Sequence, residues 1–416
     1  MLDIQLIFLR NNVIISLNMH QFYCAVKICL LAFSAFSLLA SSALWAATPI
    51  PELLKSQSVL PDLTAKSWVI YEPKTGWVLA QKNADLKVDP ASLTKLMTTY
   101  IAFDLLEKGE LQLDDKVVIS KKAWQMPGSR MFAEVGDSIS LISILKGIII
   151  QSGNDASVAI AEHIAGTEAA FTAMMNLEAE KMGLKNTFFE NSSGLPSEQH
   201  YSSAADVAVL SAAIINRFPD YYAWFAVKEY EFNNITQKNR NGLLWRDSKV
   251  DGLKTGYTEA AGYCLASTSI DNGMRIIVVV TGADSNKTRM EESMALLKYA
   301  HSNYQLNEVL TVEKKVGDVK VYGGVSETVQ VTPLKSFTAL TPKGSAEKIS
   351  YNVSVPKRVA APLKQSQTIG IANVFYEGQT IADVPIVFSD DVEEAGFVKR
   401  GIDMVKMKID GFWEDD

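Results

Sequence analysis

Ser92-Leu93-Thr94-Lys95 sets a hydroxyl and an amine three residues apart. Pro90 stands where a helix can begin, and an apolar-periodic run follows to Leu105. The spacing therefore predicts that both groups share one helix face, with Ser92 in the first turn. Peptide N–H groups and the positive helix end would point at the serine, which suits an oxygen that must carry negative charge. The chemistry is nucleophilic: the serine attacks and the lysine takes its proton. Ser345-Ala346-Glu347-Lys348 repeats the letters in a Pro/Gly-rich stretch where no helix is expected. Two further groups follow the first in chain order. Ser152-Gly153-Asn154 is read as a loop between two helices, and Lys254-Thr255-Gly256 as the segment directly after a strand. There Gly256 lets a ligand backbone approach closely, and Lys254 supplies a fixed positive charge. Lys74-Thr75-Gly76 has the same letters but precedes Ser92 and reads as a hairpin turn.

The elements that must position these residues are those of an exported globular chain. The 416 residues are long enough for two or three domains, and 48% apolar with 21% charged residues is ordinary for a folded protein. A net charge of −7 with no basic stripe in the body argues against a nucleic-acid partner. Lys27, the apolar run Ile28 to Leu39 and the small residues around Ala40 to Ala47 form a leader with its cleavage zone, and Met19 is its more natural start. The run is too short to span a membrane comfortably. Cys24 and Cys29 leave with that leader; Cys264 remains, without a disulfide partner, and reads as a small core residue. No His-Glu-x-x-His or Cys-x-x-Cys is present, so neither metal nor cofactor is indicated. His200, just before a helix start, reads as structural.

Strands are expected at 67–71 and 77–80, and again at 250–253, 262–268 and 274–280. Between them come helices at 92–106, 141–150, 155–165, 169–182 and 204–215, with Gly136 to Ile139 as a helix start; 289–304 is helical after the last strand. Strands at both ends with helices in the middle suit an α+β fold: one antiparallel sheet with packed helices. Beyond Leu306, period-two alternation at 328–332, 349–355 and 368–374, with a turn at Glu377-Gly378, predicts a small all-β domain. The expected organisation is 1–46 upstream segment and leader, 47–305 catalytic domain, 306–392 β-rich domain and 393–416 tail.

Taken together and in this order, the three groups resemble the serine penicillin-recognising enzymes. The resemblance is to the D-alanyl-D-alanine carboxypeptidases, the class C low-molecular-mass penicillin-binding proteins. It extends through Pro90 to Met97, Gln151 to Ala156, Asn239-Arg240-Asn241-Gly242-Leu243-Leu244-Trp245 and Val250 to Gly256, and covers nearly the whole chain. It implies the β-lactamase/DD-peptidase-like transpeptidase fold and a peptidoglycan stem peptide as substrate. Ser92 would attack the carbonyl of the penultimate D-alanine. Lys95 would be kept neutral by burial and by the charge of Lys254. Ser152 would relay a proton to the leaving D-alanine, and Asn154 would hold a substrate amide. The N–H groups of Ser92 and Tyr257 would form the oxyanion hole. Thr255 and Arg289 would bind the terminal carboxylate. β-Lactams would acylate Ser92. Tyr257 departs from the family, which often has histidine there, so its backbone role survives and a side-chain role in deacylation is open. The alternatives are a class A-like β-lactamase, whose Glu-x-x-Leu-Asn pattern is missing between Ser152 and Lys254, a catalytically weak penicillin-binding or cell-shape protein, and an endopeptidase using the same site.

The tail repeats apolar residues at Val398, Ile402, Val405, Ile409 and Phe412, on one helix face, with Lys399, Arg400, Lys406 and Lys408 beside them. It is too short and too charged to span a bilayer. It reads as an amphipathic interfacial helix, and the resemblance implies a peripheral anchor on the periplasmic face of the inner membrane. The alternative is a helix docked on the β-rich domain.

Overall fold

A computed structural model describes residues 47–412, with 408–412 as backbone only. The expected leader, with Cys24 and Cys29, and the acidic end Glu414 to Asp416 lie outside the described residues.

The main sheet is six-stranded. From one edge its order is Thr48–Pro49, Trp77–Lys82, Ser67–Glu72, Met274–Ala283, Gly262–Asp271 and Val250–Thr258. All neighbours are antiparallel except the two-residue edge strand, which runs parallel to Trp77–Lys82. The strands Ser67–Glu72 and Met274–Ala283 pair in register from Ser67↔Thr281 to Tyr71↔Ile277, so both ends of the domain close one sheet, as the order of elements predicts. Central strands are buried on both faces, which is why they read as apolar runs rather than as alternation. One face takes the helix Asn286–Asn303, and the other takes Ala204–Arg217. Their entries are capped by side chains: Ser203 Oγ accepts from Asp206 N–H, and Ser285 Oγ from Thr288 N–H.

Three expectations are corrected. Gly136 to Ile139 is not a helix start; Ser138–Ser140 is a short strand paired with Lys116–Val118, and the helix begins at Leu141. The expected helix 141–150 is regular only over Leu141–Lys146 and widens to a π-type turn at Gly147–Gln151. Lys254-Thr255-Gly256 does not follow a strand but lies within one, Val250–Thr258. The sequence hid this because its two glycines and two threonines break the apolar run.

Beyond Asn303 the chain turns to β structure. Tyr304–Leu310 pairs with Phe337–Pro342. A second six-stranded sheet runs Ile349–Ser354, Thr368–Tyr376, Gln379–Phe388, Thr328–Pro333, Gly317–Tyr322 and Arg358–Ala360. The turn at Glu377-Gly378 joins two of these strands as predicted. Leu340 and Tyr376 from this region are buried in the same apolar cluster as Leu296, Leu297 and Ile276 of the main sheet and its helix. A core shared across the junction resists hinge motion, because opening it would expose that area to water.

Candidate active site

Ser92 lies in a 3₁₀ turn, Ala91–Thr94, that runs straight into the helix Lys95–Glu107. The turn is held by its neighbours more than by its own propensity. Ala91 sits at φ +47°, a conformation that costs an L-residue about 1–2 kcal/mol. Its N–H donates to Asp89 Oδ1 at 2.8 Å, while Asp89 Oδ2 accepts from the Thr258 hydroxyl at 2.9 Å. One carboxylate thus ties the serine's turn to the strand that carries Lys254, Thr255 and Gly256. Glycine at 256 suits the close approach: a Cβ there would stand a tight 3.0 Å from Pro90 O and 3.3 Å from Ser92 N, and the serine's turn would have to give. On the other side Gly194, at φ +84°, comes so near that a Cβ would fall 1.8 Å from Ala91 O.

The lysine is fully enclosed. Lys95 is 1% exposed, and Nζ lies 3.0 Å from Ser92 Oγ, 2.7 Å from Asn154 Oδ1 and 2.5 Å from Ser193 O. Two of these partners are carbonyl oxygens, which only accept. A neutral amine donates its two hydrogens to them and turns its lone pair to the Ser92 hydroxyl. Burial pulls the Lys95 pKa down to about 7, against the Asp155 carboxylate, which pulls it back up. Lys254 is also buried and falls well below the ordinary lysine value, first through burial and then through repulsion by Lys95, Arg240 and Arg289. Lys254 Nζ donates to Ser152 Oγ at 2.8 Å and to Thr255 O at 3.0 Å.

Ser152 follows the π-type turn and takes φ +62°, which swings its hydroxyl toward Lys254. Asn154 opens the next helix. Its amide donates to Pro127 O at 2.6 Å while its carbonyl accepts from Lys95, so both ends are engaged within the protein. Asp155, fully buried, accepts from the N–H groups of Met131, Phe132 and Ala156 at 2.9 to 3.1 Å. It thereby fixes the loop that presents Gly128 and Ser129 to the cleft.

These parts meet in one cleft of about 460 Å³, lined by Ser92, Ser152, Asn154, Thr255, Gly256, Tyr257 and Arg289 among others. Arg289 donates from Nε to Asn286 Oδ1 at 2.9 Å and from Nη1 to Gly256 O at 2.9 Å and Cys264 O at 3.2 Å. Its guanidinium also stands 5.4 Å over the Tyr263 ring. Burial brings its pKa down to about 10, which leaves it charged at neutral pH. The Tyr257 side chain is half exposed and leans on Tyr263, with ring centroids 4.4 Å apart. All nine sequence-selected residues therefore surround or support one space.

Sequence reasoning missed four supporting residues. Arg240 lines the cleft beside Arg289, presented between Asn239 and Asn241, whose side chains are locked on backbone carbonyls. Ser193 supplies the carbonyl on Lys95. Asp89 and Asp155 do the positioning described above. Asp89 precedes Pro90 and Asp155 follows Asn154, so adjacency to the motifs was the available signal. His200 holds the structural place expected of it: Nδ1 accepts from Glu190 N–H at 3.0 Å, so Nε2 carries the hydrogen toward Thr94 Oγ1 at 2.7 Å. Burial holds its pKa down to about 4. Cys264 is wholly buried, and its thiol is pushed up to about 11. The second copies are inert by geometry. Lys348 pairs with Glu377, and Thr75 with Glu72.

A family model described as D-alanyl-D-alanine carboxypeptidase matches residues 54–285, and one described as penicillin-binding protein 5, C-terminal domain, matches residues 304–394. D-alanyl-D-alanine carboxypeptidase DacC of Escherichia coli (strain K12) is 37% identical over 358 residues, covering 84% of this chain and 89% of that protein. The chain belongs to the D-alanyl-D-alanine carboxypeptidase family.

This D-alanyl-D-alanine carboxypeptidase is a serine-type hydrolase and a penicillin-binding protein. The crystal structure of penicillin-binding protein 5 from Haemophilus influenzae superposes on it with a TM-score of 0.74 at 36% identity, over 81% of this chain and all of the other. Penicillin-binding protein D2 from Listeria monocytogenes, solved in a cefotaxime-bound form, matches 58% of this carboxypeptidase and 98% of that chain, with a TM-score of 0.54 and 27% identity. Family and fold class are those expected from the sequence: an α+β peptidase body followed by an all-β region.

Proposed function

We propose that residues 47–305 are the catalytic domain and that its cleft removes the terminal D-alanine from peptidoglycan stem pentapeptides through an ester on Ser92. The observation that carries this reading is the Lys95 amine, 3.0 Å from Ser92 Oγ and held there by Asn154 Oδ1 and Ser193 O. Ser92 Oγ bonds to the carbonyl carbon of the penultimate D-alanine as its proton passes to Lys95 Nζ. The oxygen that gains charge lies against the N–H groups of Ser92 and Tyr257. The C–N bond breaks, and the leaving amine takes a proton through Ser152. Water then attacks the ester, and Ser92 leaves with its proton restored. Asn154 holds a substrate amide once substrate displaces one of its present partners. Thr255 and Arg289, with Arg240, line the cleft where the terminal carboxylate would sit, and Lys254 stands behind them on the Ser152 hydroxyl. Gly256 admits the peptide backbone beside the serine. β-Lactams, as mimics of the D-alanyl-D-alanine end, acylate the same oxygen.

A class A β-lactamase would need a carboxylate on its deacylating water. Among the described residues, those lining the cleft include no aspartate or glutamate, which favours the carboxypeptidase. Incubation with a stem pentapeptide followed by mass spectrometry tests the reading. Loss of one alanine is expected, and Ser92→Ala should lose both this product and labelling by fluorescent penicillin. A stable penicillin adduct with no peptide product would favour the catalytically weak binder.

The chain is further read as exported by its leader and held at the periplasmic face of the inner membrane, with 306–392 as a spacer and 393–416 as the anchor. No described helix is long and apolar enough to cross a membrane. The helix Phe397–Phe412 docks on the β-rich region, yet Val398, Ile402 and Val405 remain 52 to 60% exposed. Docking and anchoring are thus compatible, because the side toward the β-rich region carries the buried Asp403, with Arg400, Met404 and Met407 along the groove beside it, and leaves that stripe free. Truncation after Gly396 tests the anchor. The cut stays beyond Glu393 and Glu394, whose backbones pair with Val325 and Gly324. The shortened protein should cleave peptide normally and leave the membrane fraction; continued sedimentation with membranes would refute the anchor.

A further inference from the structure

An amphipathic helix beside a folded body ordinarily turns its apolar stripe inward. The helix Phe397–Phe412 does the opposite. Its stripe is exposed at Val398, Ile402 and Val405, while Asp403 is 8% exposed. At 100° per residue, Asp403 lies on the order of 140° around the axis from the centre of that stripe.

The aspartate reaches a specific seat. Asp403 Oδ2 accepts from the N–H of Gly323 at 3.0 Å. Gly323 has φ +68° and begins the turn that follows the strand Gly317–Tyr322. The same turn holds the start of the helix. Gly323 O accepts from Ala395 N–H at 2.8 Å, Val325 N–H donates to Glu393 O at 2.9 Å, and Lys399 Nζ donates to Val325 O at 3.3 Å. Arg400 pairs with Glu394, and Lys406 stands 3.9 Å from the other Asp403 oxygen. A carboxylate in a buried place is costly unless it is hydrogen-bonded, so this contact favours one rotation of the helix over the others.

We infer that Asp403 is a positioning latch: it fixes the rotation of the anchor helix so that the apolar stripe faces away from the protein and onto a lipid surface, with the exposed Lys406 beside it toward anionic headgroups. The inference rests on the membrane reading of the tail. Because the β-rich region shares a core with the catalytic body, the latch also sets the attitude of the cleft relative to the bilayer. An unlatched helix would still bind lipid, but the body would swing at Gly396, the residue between the backbone pairs of 393–395 and the helix.

The test uses the full chain, with Asp403→Ala to remove the acceptor and Asp403→Asn to keep one. Amide hydrogen exchange at Gly323, without lipid, should be protected in the parent and Asp403→Asn proteins. It should quicken at least tenfold in Asp403→Ala. A fluorophore placed by Val59→Cys, a fully exposed site on the catalytic body, then reports distance to an acceptor lipid in phosphatidylglycerol vesicles. Parent and Asp403→Asn should give one narrow distance distribution, and Asp403→Ala a broad one at an affinity within about twofold. Unchanged exchange and unchanged distances in Asp403→Ala would overturn the latch. Failure of the parent chain to bind vesicles would overturn the membrane reading instead, while the exchange experiment would still judge the contact.

Discussion

Lys254 Nζ and Ser152 Oγ are 2.8 Å apart, joining the strand Val250–Thr258 to a serine held at φ +62°. A left-handed serine costs about 1–2 kcal/mol, and the lysine is the partner that uses its hydroxyl. Ser152→Gly should therefore separate stability from function. Relief of strain roughly offsets the lost hydrogen bond and the added flexibility of glycine, so the melting temperature should stay within about 3 °C. Peptide cleavage should fall by about 100-fold, the scale of a lost proton relay. Retained cleavage in a folded Ser152→Gly protein would remove the hydroxyl from the mechanism.

The Lys95 pKa, brought to about 7 by burial, makes acylation pH-dependent. Lys95 works as a base only when neutral, so the rate should fall about tenfold per pH unit below 7 and level off above it. Its neighbour Lys254 is lowered too, so the observed midpoint belongs to the pair. Stability follows the opposite bookkeeping. Between about 7 and the ordinary lysine value, the unfolded chain binds a proton that the folded chain does not, so stability rises with pH over that window. Lys95→Met should abolish acylation and flatten part of that rise. Stopped-flow acylation by a chromogenic β-lactam from pH 5 to 9 checks the first point, and denaturation at matched pH the second. A rate flat across that range would exclude Lys95 as the base.

Asp155 touches no part of the cleft, yet three backbone N–H groups converge on it. Asp155→Ala leaves those donors buried and unpaired and should cost about 3 kcal/mol of stability. It should also lower kcat/KM by about tenfold or more, because the loop carrying Pro127 and Ser129 holds Asn154. Asp155→Asn, which retains one acceptor, should recover part of both. Equal effects of the two variants on stability with no change in kcat/KM would mean the contact is structural only.

Arg289 spends three N–H bonds on the protein and still lines the cleft beside Arg240. If the pair holds the substrate carboxylate, Arg289→Ala should lose about 2–5 kcal/mol in kcat/KM for a peptide with a free terminus. Amidation of that terminus should penalise the parent enzyme strongly and the variant little. The same penalty in both would place the carboxylate elsewhere.

The peptidase was legible in the sequence because its chemistry is written in short, ordered groups. Ser92 with Lys95 is a helical spacing, and the apolar strands and capped helices around it are local patterns that the chain cannot hide. For the same reason the β-rich region announced itself through period-two alternation. Strand Val250–Thr258 was cut short in that reading, because Lys254 and Gly256 are poor strand formers and Thr255 between them adds nothing apolar to the run. They stay in the strand because its partner Gly262–Asp271 holds them in register.

What the sequence determined by itself is the set of reactive residues, their order and the fold class that must gather them. Only the tertiary structure decided their state. Lys95 is an ordinary cation by its letter; its pKa falls to about 7 because the fold closes around it, where Ser193 O and Asn154 Oδ1, far away in the chain, come within hydrogen-bond distance. The amphipathic tail likewise fixes which residues share a face, but not which face meets the protein. The structure turns Asp403 inward onto the Gly323 N–H, eighty residues distant, and no periodicity encodes that contact. Burial and long-range hydrogen bonds act on groups that sequence spacing does not bring together, and in this protein they lower the Lys95 pKa and seat Asp403 of the tail against the β-rich region.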